Sequence, residues 1–201
     1  MLCLAQRVKK ASVRVNKDLV SSIDKGILLM VCFEQTDTQV QIDKLISKIL
    51  DYSFFEGVSG KLDASLRKIG AELLIVSQFT LNASTKKGLK PSFHKAASPD
   101  LAEELYNKLK ASINLEYKNV KYGVFGAYME LELTNDGPFT FNFSCNRRVS
   151  AHSGSYAPRP WGISSGMSEI HTAWFFFSDD GWIIRRRHED SGIIRLQCFC
   201  Y

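Results

Sequence analysis

Leu73-Leu74-Ile75-Val76-Ser77-Gln78-Phe79-Thr80-Leu81 decides how this chain reads. The first four residues form a short, branched and continuous apolar run, as a strand buried on both faces does. The run then stops at a hydroxyl, an amide, a ring and a second hydroxyl. Polar groups at the end of a core strand are held rigidly and still meet solvent, which suits a site built on a scaffold. Taken alone, Ser77 and Thr80 have a simpler reading, as hydroxyls that satisfy backbone groups where a strand ends.

Working outward, the run Ile27-Leu28-Leu29-Met30-Val31-Cys32-Phe33 after Gly26 reads as a second buried, central strand. Leu2, Leu4, Gln6 and Val8, then Val13 and Val15, read as strand, turn and strand. Helical spacing of Ile42, Leu45, Ile46, Ile49 and Leu50 predicts a helix over 37–50, with Asp37 as its cap. Residues 52–56 return as a strand, 57–60 turn, and 61–70 form a mixed connection. Ser98-Pro99-Asp100 opens a second helix with a cap, a first-turn proline and an early acid. Its apolar stripe is Leu101, Leu105 and Leu109, continuing to about Ile113. Residues 120–125 and 128–133 are strands, with Met129, Leu131 and Leu133 on one face and Tyr128, Glu130 and Glu132 on the other. Asn135-Asp136-Gly137-Pro138 is good turn chemistry, after which Phe139-Thr140-Phe141 resumes a strand. The fold class expected is α+β: two β-sheets, barrel-like or layered, with two main helices.

Bulk properties set limits. The chain has 201 residues, which suits one domain with room for an appendage. At 45% hydrophobic residues it can build a packed core. Its apolar runs are too short to cross a bilayer, and Arg7 interrupts the N-terminus before an apolar signal core can form. A cytoplasmic location follows as the expectation, with the five cysteines reduced. The net charge of +5 mildly favours a polyanionic partner. No cofactor and no metal is expected.

Five ordered blocks resemble the D-aminoacyl-tRNA deacylase family. They are Gln6-Arg7-Val8 with Ala11-Ser12-Val13; Ser77-Gln78-Phe79-Thr80; Lys87-Gly88-Leu89-Lys90-Pro91-Ser92-Phe93; Gly123-Val124-Phe125-Gly126-Ala127-Tyr128-Met129; and Asn135-Asp136-Gly137-Pro138-Phe139-Thr140. They cover about residues 1–144 in family order and spacing. The resemblance implies the family's fold and a homodimer. It implies hydrolysis of the ester joining a D-amino acid to the terminal ribose of tRNA, and removal of glycine from mischarged tRNA.

It also implies roles. The oxyanion contacts fall at Phe79 and Thr80, with Ser77 and Gln78 positioning the terminal adenosine. Gly137-Pro138 is implied to be a cis peptide that enters the neighbouring subunit's site and rejects L side chains, with Phe125, Ala127 and Met129 lining the selecting region. Arg7 is implied to brace the Gly-Pro segment, although a surface cation is the plainer reading of one arginine. Lys86, Lys87 and Lys90 belong to the basic loop 82–95, which can hold phosphates near an aromatic or can be merely solvated. His94 in that loop is a proton carrier by type only. Phe79 separates this family from its relative that edits L-alanine on tRNA.

Thr80 as a covalent nucleophile is the competing mechanism, but a threonine hydroxyl is weak without an adjacent base, and none is evident. The route expected instead has the ribose 2′-hydroxyl help activate water.

Residues 145–201 are different material. Residues 1–144 hold 16 Lys and 3 Arg; residues 145–201 hold no Lys and 7 Arg, together with Trp161, Trp174 and Trp182. The tail reads as an added module, with strand-like stretches at 174–177 and 182–184, or as an alternative exon or translated non-coding sequence. The second origin is preferred, and the tail is expected to lie outside the catalytic domain. Cys145, Cys198, Cys200 and His188 lack the paired spacing of a zinc site. Arg185-Arg186-Arg187 reads as a solvated charge cluster before an RNA contact. The alternative function is a nucleic-acid-binding or interaction protein on the same fold, or an inactive product with an altered C-terminus.

Overall fold

The computed structural model describes residues 1–85, 88–145 and 194–198, the last as backbone only. Strand-like stretches 174–177 and 182–184, the Arg185–Arg187 cluster, His188, Cys200, and Lys86 and Lys87 of the basic loop lie outside the described residues.

The first three strands are β1 (Leu2–Val15), β2 (Asp18–Ile23) and β3 (Gly26–Cys32). Helix α1 (Gln39–Asp51) follows, then β4 (Phe55–Glu56), β5 (Leu62–Ala64) and the one-turn helix α2 (Leu66–Ile69). Strand β6 (Glu72–Ser77) leads through a 3-10 turn (Phe79–Asn82) to α3 (Pro99–Glu116), β7 (Val120–Tyr122), β8 (Met129–Ser144) and β9 (Ile194–Cys198). Seven strands form one sheet in the order β7-β6-β3-β1-β8-β9, with β2 added beside β1; β4 and β5 form a separate pair. Two long helices and the short α2 complete a mixed α+β fold.

The main sheet curls because β1 serves two neighbours in turn. Its first half pairs with β3, from Leu2↔Cys32 to Val8↔Gly26. Its second half pairs with β2, from Ala11↔Ile23 to Val15↔Asp18. Strand β2 is thereby carried round toward β7, where Ser21 Oγ donates to Tyr122 O at 3.0 Å and Lys121 Nζ donates to Ser22 O at 2.6 Å. The result is a nearly closed, barrel-like sheet.

Strand alternation then sorts the core. Leu28 and Met30 of β3, Leu74 and Val76 of β6, and Met129, Leu131 and Leu133 of β8 fill the inside of the curl. Ile27, Leu29, Val31, Leu73 and Ile75 face outward and pack under α1 and α3 through Ile42, Leu45, Ile46, Ile49, Leu105 and Leu109. β3 and β6 are parallel and buried on both faces, which is why both read as unbroken apolar runs.

Four expectations change. Residues 2–15 form one strand, since β8 pairs with β1 from Leu2 to Arg14, on both sides of a bulge, and the chain does not reverse between them. Residues 135–138 lie within β8 and do not reverse the chain. Strand 52–56 shrinks to Phe55–Glu56. Helix α1 starts at Gln39 with Thr38 as its cap, and Gln41 Oε1 accepts from the Thr38 amide at 2.9 Å. Asp37 is used elsewhere: it accepts from the Glu34 amide at 2.8 Å and from the Met1 ammonium at 2.9 Å.

The parallel pair needs a close approach at its start. A Cβ on Gly26 would lie 1.9 Å from the backbone oxygen of Glu72. Gly26→Ala is expected to destabilise the fold by about 3 kcal/mol, because backbone rather than a mobile side chain must move. Urea denaturation monitored by tryptophan-independent far-UV CD measures this; a loss below about 1 kcal/mol would contradict the tight packing of β3 on β6.

Candidate active site

Strands β3 and β6 run side by side and end at the same level, with Val31 opposite Ser77. The carboxyl ends of adjacent parallel strands are a common place for a ligand crevice. Pairing continues one residue further, as Gln78 N donates to Val31 O at 2.7 Å. The chain then tightens into the 3-10 turn, closed by Leu81 N to Gln78 O at 3.3 Å and Ala83 N to Thr80 O at 3.1 Å. The first amides of such a turn have no partner within it. That of Thr80 precedes the first bond of this one.

Side chains hold the turn in place. Gln78 Nε2 donates to Thr80 Oγ1. Ser77 and Gln78 are buried, while Phe79 and Thr80 are half-buried. Phe79 packs on Phe93 with ring centroids 5.0 Å apart, tying the turn to the basic loop. That loop is drawn into a hairpin by Ser84 N to Ser92 O at 2.7 Å and Ser92 N to Ser84 O at 3.0 Å. Lys90 is exposed within it. His94 does have a partner, as its Nδ1 lies 3.0 Å from Ser92 Oγ.

A small cavity opens at the strand ends, lined by Cys32, Phe33, Ser77, Gln78, Phe79 and Phe125 among others. Phe125 thus joins the central motif, with its ring centroid 5.6 Å from that of Tyr106. Ala127 packs against the inner core, and Met129 is fully buried within it. Met129 bears on the region only through packing, its sulfur sitting against Gly123.

The Gly-Pro segment is built around Arg7. Thr140 pairs with Gln6 and Asn135 pairs with Val8, so residues 136–139 of β8 all stand opposite Arg7. The extra length bulges outward, leaving Gly137 and Pro138 exposed, with a cis peptide between them. Gly137 has φ +136°, and a Cβ there would lie 2.4 Å from the Phe139 ring.

Arg7 is 6% exposed and well partnered. Its Nη1 donates to Phe54 O at 2.9 Å and its Nε to Asp136 O at 3.1 Å, with Asp136 Oδ2 at 3.3 Å. The guanidinium carbon lies 3.8 Å over the Phe139 ring. One buried cation therefore grips both sides of Gly137-Pro138.

Cys32 and Asn82 are residues that sequence reasoning missed. Cys32 Sγ donates to Phe79 O at 3.3 Å, and burial pushes its thiol up to about 12. Asn82 is buried, with Nδ2 unpartnered among the described residues. Both end apolar or motif stretches, where nothing in composition marks them. Among the described residues, no three His, Cys, Asp or Glu side chains group as a metal site.

A curled sheet with an amide-bearing turn at the ends of two parallel strands, and with a braced Gly-Pro bulge in β8, defines a class of small α+β domain. Residues 4–144 match the family described as D-Tyr-tRNA(Tyr) deacylase, and the chain belongs to that family. It is 46% identical over 143 residues to a D-aminoacyl-tRNA deacylase of Francisella tularensis subsp. novicida, covering 71% of this chain and 99% of that one. It is 47% identical over 140 residues to one of Pseudomonas syringae pv. syringae, covering 70% and 97%. Among solved structures, the c-Myc DNA Unwinding Element Binding Protein superposes with TM-score 0.69 at 38% identity, covering 72% of this chain and 98% of that one. A probable eukaryotic D-amino acid tRNA deacylase shares the fold, with TM-score 0.64 at 18% identity, covering 71% and 97%.

Arg7→Met is expected to cost on the order of 3 kcal/mol, because a buried carbonyl, Phe54 O, and a half-buried one, Asp136 O, lose their donor together. Arg7→Lys should recover only part of this, since an ammonium cannot reach Phe54 and Asp136 at once or lie flat on Phe139. Guanidinium denaturation of the three proteins checks the order; Lys equal to Arg would remove the fork from the account.

Proposed function

We propose that the chain hydrolyses the ester of D-aminoacyl-tRNA, releasing the free D-amino acid and tRNA, as a proofreading step of translation in the cytoplasm. The observation that carries this reading is the Phe79–Asn82 turn at the paired ends of β3 and β6, in a chain of this family. An aminoacyl ester is already activated, so the task is to orient it and hold the developing oxyanion. The Phe79 and Thr80 amides take that charge, and Ser77 and Gln78 seat the terminal adenosine. Water adds to the ester carbonyl with help from the ribose 2′-hydroxyl; the tetrahedral intermediate then expels the ribose oxygen, which leaves with a proton. The Thr80 hydroxyl accepts from Gln78 Nε2, and a threonine hydroxyl is weak without an adjacent base, which supports a non-covalent route.

Selection falls to Gly137-Pro138. The exposed bulge, held from below by Arg7, enters the site of a second copy of the chain and sets backbone where an L side chain would go. A D side chain turns to solvent, and Phe125, Ala127 and Met129 shape the region from their own subunit. Glycine, which has no side chain, is accepted by the same logic, so glycyl-tRNA mischarged on tRNA(Ala) is a substrate too. Each site borrows a loop, and the working form is a homodimer. Lys90, with Lys86 and Lys87 in the same loop, meets tRNA phosphates, in keeping with the net charge of +5. Residues 1–144 carry the activity, with 145–201 an extension outside the catalytic domain.

Strand β9 bears on this last point. It lies antiparallel beside Met129–Leu133, so a piece of the extension is a strand of the main sheet. That placement supports a second reading, in which the extension alters assembly or leaves the chain a binding protein without catalysis.

Full-length protein is expected to deacylate D-Tyr-tRNA and to leave L-Tyr-tRNA intact, with Thr80→Ala keeping turnover within about threefold. Loss of neither ester would overturn the reading, and an acyl-Thr80 ester trapped on the protein would replace the mechanism. The same assay on residues 1–144 should show undiminished D-specific turnover. If the shortened protein is inactive while the full chain works, the extension belongs to the catalytic unit.

A further inference from the structure

We infer that Cys32 is a positioning residue, whose side chain holds the Phe79–Asn82 turn so that the Thr80 amide faces the reacting ester. The inference rests on the function proposed above and adds to it a residue outside every motif used to reach that reading.

The geometry is specific. Cys32 ends β3, beside the end of β6, and is 1% exposed. Its Sγ donates to the carbonyl of Phe79 at 3.3 Å, with a longer contact to Phe33 O at 3.7 Å. The sulfur therefore holds the first residue of the turn from the neighbouring strand end.

The consequence follows from the planarity of the peptide. The carbonyl of Phe79 and the N–H of Thr80 belong to one rigid trans unit and point in opposite directions. Fixing the carbonyl on the Cys32 side fixes the N–H on the other. An oxyanion donor must be aimed before the charge develops, and a small misplacement costs rate rather than binding.

Cys32 acts as a donor and not as a nucleophile. Burial, as the largest cause, pushes its thiol up to about 12, so it stays protonated through the neutral range and keeps the hydrogen that Phe79 O accepts. A thiol is a weak donor. Its value here lies in direction, since Gln78 and Leu81 already secure the rest of the turn.

The test uses the full chain with Cys32→Ala and Cys32→Ser. On D-Tyr-tRNA, Cys32→Ala is expected to lower kcat about tenfold while KM stays within about twofold. Cys32→Ser should recover at least about threefold of that loss, because a hydroxyl still donates, though from a shorter bond. Hydrogen exchange over residues 78–84 should quicken in Cys32→Ala and be partly restored in Cys32→Ser. Unchanged kcat in Cys32→Ala, a loss confined to KM, or a serine variant no better than alanine would each overturn the inference, as would an acyl group trapped on Cys32. If the unmodified chain leaves D-Tyr-tRNA intact, the proposed function has failed, and exchange alone decides: unchanged protection over 78–84 in Cys32→Ala refutes the brace, and faster exchange supports it.

Discussion

Everything that makes a site in this chain depends on the parallel pairing of β3 with β6. The register from Gly26↔Glu72 to Val31↔Ser77 brings two strand ends level, and Gln78 N to Val31 O prolongs the contact by one bond. Only there can the side chain of one strand, Cys32, reach under the turn that follows the other. The pairing is tight enough to require glycine at its start, where a Cβ would meet the Glu72 carbonyl. Burial on both faces, inside the curl and beneath the helices, makes the register costly to shift.

A second fixed point is Arg7. It sits where β1 passes from pairing with β3 to pairing with β2, opposite the part of β8 with extra residues. A sheet that changes partners along one strand must bend there, and a bulge absorbs the mismatch. Burying a guanidinium is expensive unless its donors are used. Phe54 O, Asp136 and the Phe139 face use them, so the cation that the bend encloses also fixes the bulge that the proposed selection depends on. Asn135 Oδ1 and Thr140 Oγ1, either side of the same bulge, are buried without hydrogen-bond partners among the described residues.

Much of this was legible in the residues. The runs at 27–33 and 73–76, the helical stripes and the alternation at Met129, Leu131 and Leu133 all reappear as strands, helices and inward faces. Two of the errors share one cause. The gap between Val8 and Val13 and the Asn135–Pro138 stretch both read locally as turns. Pairing of β1 with β8 on both sides of the Gly137-Pro138 bulge overrides that preference, since many ladder bonds outweigh one favourable turn. Asp37 is a good cap by type, but the nearby N-terminal ammonium claims its carboxylate, and Thr38 caps in its place.

By itself, the sequence determined what repeats locally: which runs are strands or helices, which faces are apolar, and the ordered motifs that mark the family. Periodicity and side-chain preference act over a few residues, so one chain suffices to read them. The tertiary structure alone decided the contacts that make the site. Arg7 meets Asp136 across 129 positions, Cys32 meets Phe79 across 47, and Met1 meets Asp37 across 36. No local pattern encodes such meetings. They exist because a sheet that curls through β1 brings distant strand ends into contact, and closure of the fold is a property of the whole chain.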